Sequence, residues 1–292
     1  MEWLAATVGA AIIWSFTGIV AKELMDHSSS LVYSFLYSSL ALLFYTPVFL
    51  YYLPQASFEI GSWLIIALTV SGIANVFGIM SYNYSIKFGE LSRVIPFTKL
   101  NPVFTAIIAA VVLGEQMTQT RIIGIVLVTI GSYAILEEKN SGWKKPFKNF
   151  IKLKAPKYAA LSAVVYSMAS VADRYATQII QPEIYTFIIY VMITSTLSIY
   201  ILTEKKHLIP EIKTDLKQDP IYYILTGLGG ALASYLIFFA FSQAQASRVI
   251  PVLQIQVFIS VAAGYILFNE DNLKQKIIGS LILVAGVILV AL

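Results

Sequence analysis

Ten apolar runs, each close to the length of a membrane-crossing helix, fill this chain: residues 3–21, 31–53, 62–86, 92–113, 120–136, 157–175, 184–203, 220–243, 247–268 and 274–292. About 20 apolar residues carry a helix across the hydrocarbon core of a bilayer. There the backbone must satisfy its own hydrogen bonds, which admits helices and closed barrels only. The links are short, so neighbouring helices are expected to run antiparallel; the third and fourth runs part only at Lys87-Phe88-Gly89-Glu90, and the eighth and ninth at Ser242–Ser247. The composition agrees, since only 12% of residues are charged and 58% are hydrophobic, against about 25% and 45–50% in soluble domains. The first run follows Met1-Glu2 with no basic stretch before it, and reads as a first span rather than a signal peptide.

The chain contains no cysteine, which excludes disulfide frameworks, thiol nucleophiles and thiolate metal sites. His27 and His207 are the only histidines, and both lie in polar links. An intramembrane enzyme would need clustered Asp, His or Glu, a channel would need a filter or a ring of charge, and neither pattern is present. No nucleotide-binding motif is found, so no ATP-driven step is expected. The mid-chain stretch over residues 137–157 carries Lys139, Lys144, Lys145, Lys148, Lys152, Lys154 and Lys157 interleaved with Trp143, Phe147, Phe150 and Ile151. Basic residues mixed with aromatics fit nucleic acid in a soluble protein. Between two spans they fit an anionic lipid surface better, so the bilayer is the expected partner and nucleic acid is not.

The two halves repeat. Ser92-Arg93-Val94-Ile95-Pro96 recurs as Ser247-Arg248-Val249-Ile250-Pro251, an offset of 155 at which Glu115 also meets Glu270, Gly124 meets Gly279 and Gly131 meets Gly286. Upstream, an offset of 152 matches Trp14-Ser15 to Tyr166-Ser167, Lys22 to Arg174 and Val32-Tyr33 to Ile184-Tyr185. Five spans per half is an odd number, so the second half is expected to enter the membrane from the opposite side. The fold class is therefore an all-α polytopic membrane protein. Its ten transmembrane helices form two inverted five-helix repeats around a central cavity, with residues 1–136 as the first repeat, 137–156 as a basic linker and 157–292 as the second repeat. Inverted repeats build secondary transporters, with the substrate near the midplane, while duplication that merely enlarges a bundle is the scaffold alternative. In the repeated motif the serine is expected to cap a helix, the proline to sit near its first turn, and Arg93 and Arg248 to reach opposite interfaces. The Lys-rich links at 137–157, 204–219 and 269–276 fall on one side, which by charge makes that side cytoplasmic and the termini external.

Lys99 is the most informative residue. It lies six residues beyond Arg93, about 9 Å deeper at 1.5 Å per residue. A mid-span lysine costs about 2.5–3.5 kcal/mol. It is either a cavity ligand for an anionic substrate group, such as a carboxylate, or a side chain that snorkels to the interface. Its repeat partner is the neutral Gln254. Asn101 and its partner Gln256 are weaker cavity candidates, because Gln254 and Gln256 cannot share one face of a regular helix. Trp14, Tyr166, Tyr82 and Tyr235 are mid-span aromatics suited to an amphipathic ligand, and Asn75 is a further polar candidate that could equally bridge helices. The adjacent Asp173 and Arg174 read as a structural or gating pair, or as a carboxylate for proton coupling. Glu115 and Glu270 terminate the fourth and ninth spans, where negative charge opposes the helix dipole. Arg121 and Lys276 are their expected partners in structural latches. Gly124, Gly131, Gly279 and Gly286 form flat stripes, for packing the fifth span on the tenth or for a homodimer.

Ile13-Trp14-Ser15-Phe16 through Lys22, the span from Pro96 and Pro102 to Gly114-Glu115, the pair Gly124 and Gly131, and Asn269-Glu270 together resemble the EamA-type transporters of the drug/metabolite transporter superfamily. The resemblance covers both halves; it departs at Ser15, where the family usually has glycine, and at Asn269. It implies a ten-helix basket in the cell membrane whose cavity is lined by the first, third, fourth, sixth, eighth and ninth spans. It also implies export or exchange of small metabolites, commonly amino acids, without a cofactor or metal. Relatives are commonly drawn with both termini cytoplasmic, opposite to the charge count. Within transport, phosphorylated or other organic anions and drugs are the alternative substrates; one deep lysine favours a single carboxylate.

Overall fold

The computed structural model describes residues 1–25, 27–56, 58–88, 97–136, 153–259 and 273–292. Among these residues every regular element is helical. In chain order they are α1 (Glu2–Met25), α2 (Ser30–Tyr52), α3 (Ser62–Phe88), α4 (Asn101–Leu113), α5 (Gln119–Leu136), α6 (Lys154–Ala176), α7 (Pro182–Glu204), α8 (Ile209–Gln218), α9 (Pro220–Gln243), α10 (Ala246–Leu253) and α11 (Leu273–Ala291). Short 3-10 turns over Leu53–Gln55 and Lys206–Leu208 close α2 and lead into α8.

The expectation of ten uniform spans is met in part. Five segments are long and apolar enough to cross a membrane: Glu2–Met25, Ser30–Gln55, Ser62–Tyr82, Pro182–Glu204 and Pro220–Gln243. Asn101–Leu113, Gln119–Ala134, Ala246–Ile259 and Ile277–Ala291 are shorter apolar helices. Helix α6 has the length, at 23 residues, but carries Lys154, Lys157, Asp173 and Arg174 among many small side chains. The basic stretch at 137–152, the Arg93 and Pro96 motif and Glu270 lie outside the described residues. The link at 204–219 is not an irregular loop, because it contains α8. Ile209, Ile212 and Leu216 recur at helical spacing there, and Leu208 and Ile212 pack on the cluster of Leu24, Val32, Leu36 and Tyr223.

The chain divides into two compact units, each drawing on both halves of the sequence. Apart from Met1, one comprises 77–171 and 244–292, and the other 2–76 and 172–243. Helices α3 and α6 contribute residues to both units.

In the first unit α5 packs along α11. A Cβ added to Gly131 would lie 2.5 Å from the Leu283 backbone nitrogen and 2.8 Å from the Gly279 carbonyl, and one on Gly124 would lie 2.8 Å from the Gly286 carbonyl. The glycine stripes of the two halves thus face each other, and the crossing is antiparallel. Internal packing is the use to which they are put. Helix α4 closes at Gly114, whose φ of 66° places it in the left-handed region that glycine occupies without strain. That turn aims Glu115 at the start of α10.

In the second unit α9 packs on α1 and α2, and α2 packs on α7. Small residues on α9 allow the approach: a Cβ on Gly230 would run into the Tyr37 ring, and one on Gly227 would meet the Leu40 Cβ at 2.6 Å. Phe49 of α2 stacks on Phe187 of α7 with centroids 3.8 Å apart. Ser29 caps α2 by accepting from the Val32 N–H, and its own N–H donates to Glu211 of α8 at 2.6 Å. His27 meets Asp219 at 2.9 Å beside the same junction.

Candidate functional site

The site begins with two helix breaks. In the first half, Phe97 and Thr98 are helical, Lys99 and Leu100 form a turn, and α4 starts at Asn101. Pro102 occupies its first turn, where a missing N–H is tolerated. In the second half, α10 carries Pro251 and ends at Leu253, Gln254 forms the turn, and the helix resumes at Ile255. Lys99 and Gln254 are repeat equivalents, so the two halves break at the same place. The broken ends face each other within the first unit, where the Lys99 ammonium donates to the Gln254 Oε1 at 3.5 Å. Lys99 is half-buried and Gln254 is 5% exposed.

Electrostatics make this arrangement incomplete. Lys99 stands at the N-terminal end of α4, where the helix dipole already presents positive charge. A cation there is disfavoured, and no carboxylate among the described residues lies within 4.0 Å to offset it. The amide oxygen of Gln254 is a weak substitute. An incoming anionic group would meet both the ammonium and the helix terminus.

The other polar candidates are held by neighbouring helices. Asn101 donates to the Ala163 carbonyl at 3.2 Å and to the Ser167 hydroxyl at 2.9 Å, and Ser167 returns a bond to the Asn101 carbonyl at 3.0 Å. Asn101 therefore ties the first turn of α4 to α6. Gln256, its repeat equivalent, is half-buried in the helical stretch beyond Gln254. Asn75 donates to the Ser71 carbonyl at 3.0 Å within α3.

The aromatic candidates divide between the units. Tyr166 lies across α3 at Gly78, where an added Cβ would meet its ring at 2.8 Å. Tyr82 is 39% exposed. In the second unit Trp14 and Tyr190 lie within side-chain hydrogen-bonding reach of the Tyr37 hydroxyl. Tyr235 donates to the Glu183 carboxylate at 3.0 Å.

Glu115 has a different partner from the one expected. Its carboxylate accepts from the Ala246 N–H at 2.9 Å, from the Ser247 N–H at 3.1 Å, and from the Ser247 hydroxyl. It caps α10 from a different helix, and this explains why an acid at the end of α4 is favourable: it sits at the positive end of α10. Ser247 is thus not a self-sufficient cap but a donor to Glu115. Arg121 donates instead to the Gln116 carbonyl at 2.6 Å and to Gln245 at 2.7 Å, which steadies the residue before α10. Arg248, in the first turn of α10, is half-buried, and its Nε has no hydrogen-bond partner among the described residues. The Asp173–Arg174 pair is also corrected. Asp173 accepts from Ser71 and Tyr185, while Arg174 donates to the Phe241 carbonyl, so the two do not bridge each other. Sequence spacing gave no signal for these cross-helix bonds; the matching offsets of Glu115 and Ser247 to the repeat were the only hint.

The long apolar helices are those of a multi-pass membrane protein. The sequence pattern of the EamA-like transporter family matches residues 1–137 and 153–292, and the chain belongs to that family. It is similar to an uncharacterized transporter of Archaeoglobus fulgidus, 23% identical over 97% of this chain and 93% of that protein. It also resembles proteins named S-adenosylmethionine uptake transporters: that of Rickettsia conorii is 21% identical over 73% of this chain and 67% of its own, and that of Rickettsia bellii 21% over 75% and 70%. A solved crystal structure superposes with a TM-score of 0.76 at 14% identity, covering 98% of this chain and 95% of the other, a likeness of fold.

Proposed function

We propose that this chain is a secondary transporter, an exporter or exchanger working by alternating access, for a small metabolite that carries a carboxylate. Lys99 is its substrate cation and Gln254 the neutral partner. The observation that carries this reading is the meeting of Lys99 and Gln254 at matching helix breaks, with no acid among the described residues beside the lysine. Broken helices whose ends face a substrate are a construction of transporters built from inverted repeats. The antiparallel packing of α5 on α11, and the contact of the end of α4 with the start of α10, support two halves of opposite orientation. On this reading the chain holds ten spans in two five-helix repeats, 1–136 and 157–292.

Amino acids supply the simplest metabolite carboxylate. S-adenosylmethionine, named for the Rickettsia relatives, also ends in an amino-acid carboxylate, with a sulfonium and an adenine attached. Both fit one cation at the site. A phosphate ester would call for more cationic groups than the pair supplies. The test is flux in proteoliposomes loaded with labelled leucine, labelled S-adenosylmethionine or labelled glucose 6-phosphate. Saturable flux of either carboxylate compound supports the reading, and trans-stimulation by internal substrate identifies exchange. Flux of the phosphate ester alone discards the single-carboxylate site, and saturable transport of neutral compounds only discards Lys99 as ligand.

A further inference from the structure

One buried acid has no part in the site described. Asp173, on α6, is 6% exposed. Its Oδ1 accepts from the Ser71 hydroxyl at 2.5 Å and from the Tyr185 hydroxyl at 2.5 Å. Asn75 backs Ser71, donating to its hydroxyl oxygen at 3.3 Å. No lysine, arginine or histidine whose side chain is described lies within 4.0 Å of the carboxyl. Its neighbour Arg174 bonds the Phe241 carbonyl. Of the elements packed here, α3 brings Ser71 and Asn75, neither titratable, and α7 brings Tyr185 as the one titratable group. Helix α9 covers the Tyr185 ring with Phe238, edge-on at 4.8 Å. All these residues belong to the second unit.

A carboxyl placed like this is poised between two states. Two short hydroxyl bonds favour the anion, because bonds to a charged acceptor are about twice as strong as neutral ones. Burial away from water, with no cation facing it among the described side chains, makes the bare anion costly to hold. Both donors converge on Oδ1, and Oδ2 accepts from none of the described residues. A proton therefore has an unoccupied oxygen to bind, with Ser71 and Tyr185 keeping their bonds to the other.

We propose that Asp173 reversibly takes up a proton on Oδ2 and that this proton is the coupling ion of transport; the coupling half rests on the transporter reading above. Uptake forms one O–H bond at Oδ2 with a proton from water on one side of the membrane, and release returns it to water on the other. Neutralisation weakens the two hydroxyl bonds to Oδ1. Those bonds join α6 to α3 and α7, and α3 and α6 are the helices with residues in both units. Proton occupancy thus changes the strength of a tie on the two shared helices.

The test uses the full chain reconstituted in liposomes, as wild type, Asp173→Asn and Asp173→Glu. Infrared difference spectra across the pH range in which buried carboxyls titrate need no substrate. They are expected to show a carboxyl band in wild type that Asp173→Asn removes and Asp173→Glu restores at a shifted position. Tyr185→Phe removes one donor to the anion and is expected to raise proton occupancy at a given pH about tenfold. Superimposable wild-type and Asp173→Asn spectra overturn the proposal whatever the substrate. Flux of labelled leucine and S-adenosylmethionine under an imposed pH gradient tests the coupling half. A one-unit gradient sustains up to about tenfold accumulation for one-to-one coupling. Wild type is expected to follow the gradient, Asp173→Asn to become indifferent to it, and Lys99→Gln to lose flux with or without it. An Asp173→Asn protein that still accumulates substrate along the gradient, or wild-type flux that follows sodium and ignores pH, overturns the coupling role. Absence of wild-type flux for both probes beside a clear Asp173 band instead fails the substrate reading and leaves the proton site standing.

Discussion

Replacing Glu115 by alanine removes the cap that α4 supplies to α10. Two backbone N–H groups and one hydroxyl lose their acceptor, at 2.9 Å and 3.1 Å for the two N–H groups. The residue is 7% exposed, so water does not replace the lost acceptor. Loss of an ordinary N-cap costs about 0.5–2 kcal/mol, and each buried polar group left unpaired about 1–3 kcal/mol. These terms overlap, because the same N–H groups enter both; about 3 kcal/mol is the combined expectation. At about 2–4 °C per kcal/mol for a chain of this size, the thermal midpoint in detergent falls by about 6–12 °C. Glu115→Gln keeps one acceptor oxygen and is expected to lose about half as much. Ser247→Ala should be non-additive with Glu115→Ala by more than about 0.5 kcal/mol, since they share one bond. Melting followed by intrinsic fluorescence reads wild type, the three single variants and the Glu115→Ala, Ser247→Ala double variant. A Glu115→Ala protein that melts within about 1 °C of wild type would refute the cap.

Other expectations follow from the same packing. Gly131→Ala drives a methyl into the α11 backbone, 2.5 Å from the Leu283 nitrogen, and should cost about 1–3 kcal/mol. Gly18→Ala meets nothing within 4 Å and should stabilise α1 by about 0.5–1 kcal/mol; melting of the pair checks both signs. Asn101→Ala removes the amide that donates to the Ser167 hydroxyl and the Ala163 carbonyl, and is expected to cost about 1–2 kcal/mol while leaving the order of preferred substrates unchanged in competition assays. His27→Ala removes an exposed pair with Asp219 and should change stability by less than about 1 kcal/mol at low salt, which the same melts would show.

Hydropathy and the repeat made much of this architecture legible. The bounds of α1, α7 and α9 fall within a few residues of the apolar runs, because each run is bounded by charged or turn-forming residues. The offset of 155 singled out Lys99 and Gln254 before any contact was visible. The two are equivalents at that offset, and they meet at 3.5 Å. The glycine stripes were legible for the same reason. Other features were not. Helix α8 was hidden because its polar residues outnumber its three aliphatic ones, Ile209, Ile212 and Leu216. The cap on α10 comes from a residue 131 positions away, beyond the reach of local capping rules. Asp173 and Arg174 looked like a pair because they are adjacent, but successive residues on a helix point about 100° apart, and each found its partner on a different helix.

Lys99 is the residue on which the account turns, and its repeat partner supplies a direct test. Lys99→Gln makes the two halves alike at this point and removes the only cation of the pair. Loss of a charge-assisted bond of about 1.5–3 kcal/mol lowers carboxylate flux about 10- to 100-fold. The double change Lys99→Gln with Gln254→Lys returns the charge to the facing position, 3.5 Å away. Flux of labelled leucine and labelled S-adenosylmethionine should collapse in the single variant and return in large part in the swapped one. Equal flux in wild type and Lys99→Gln would contradict the account.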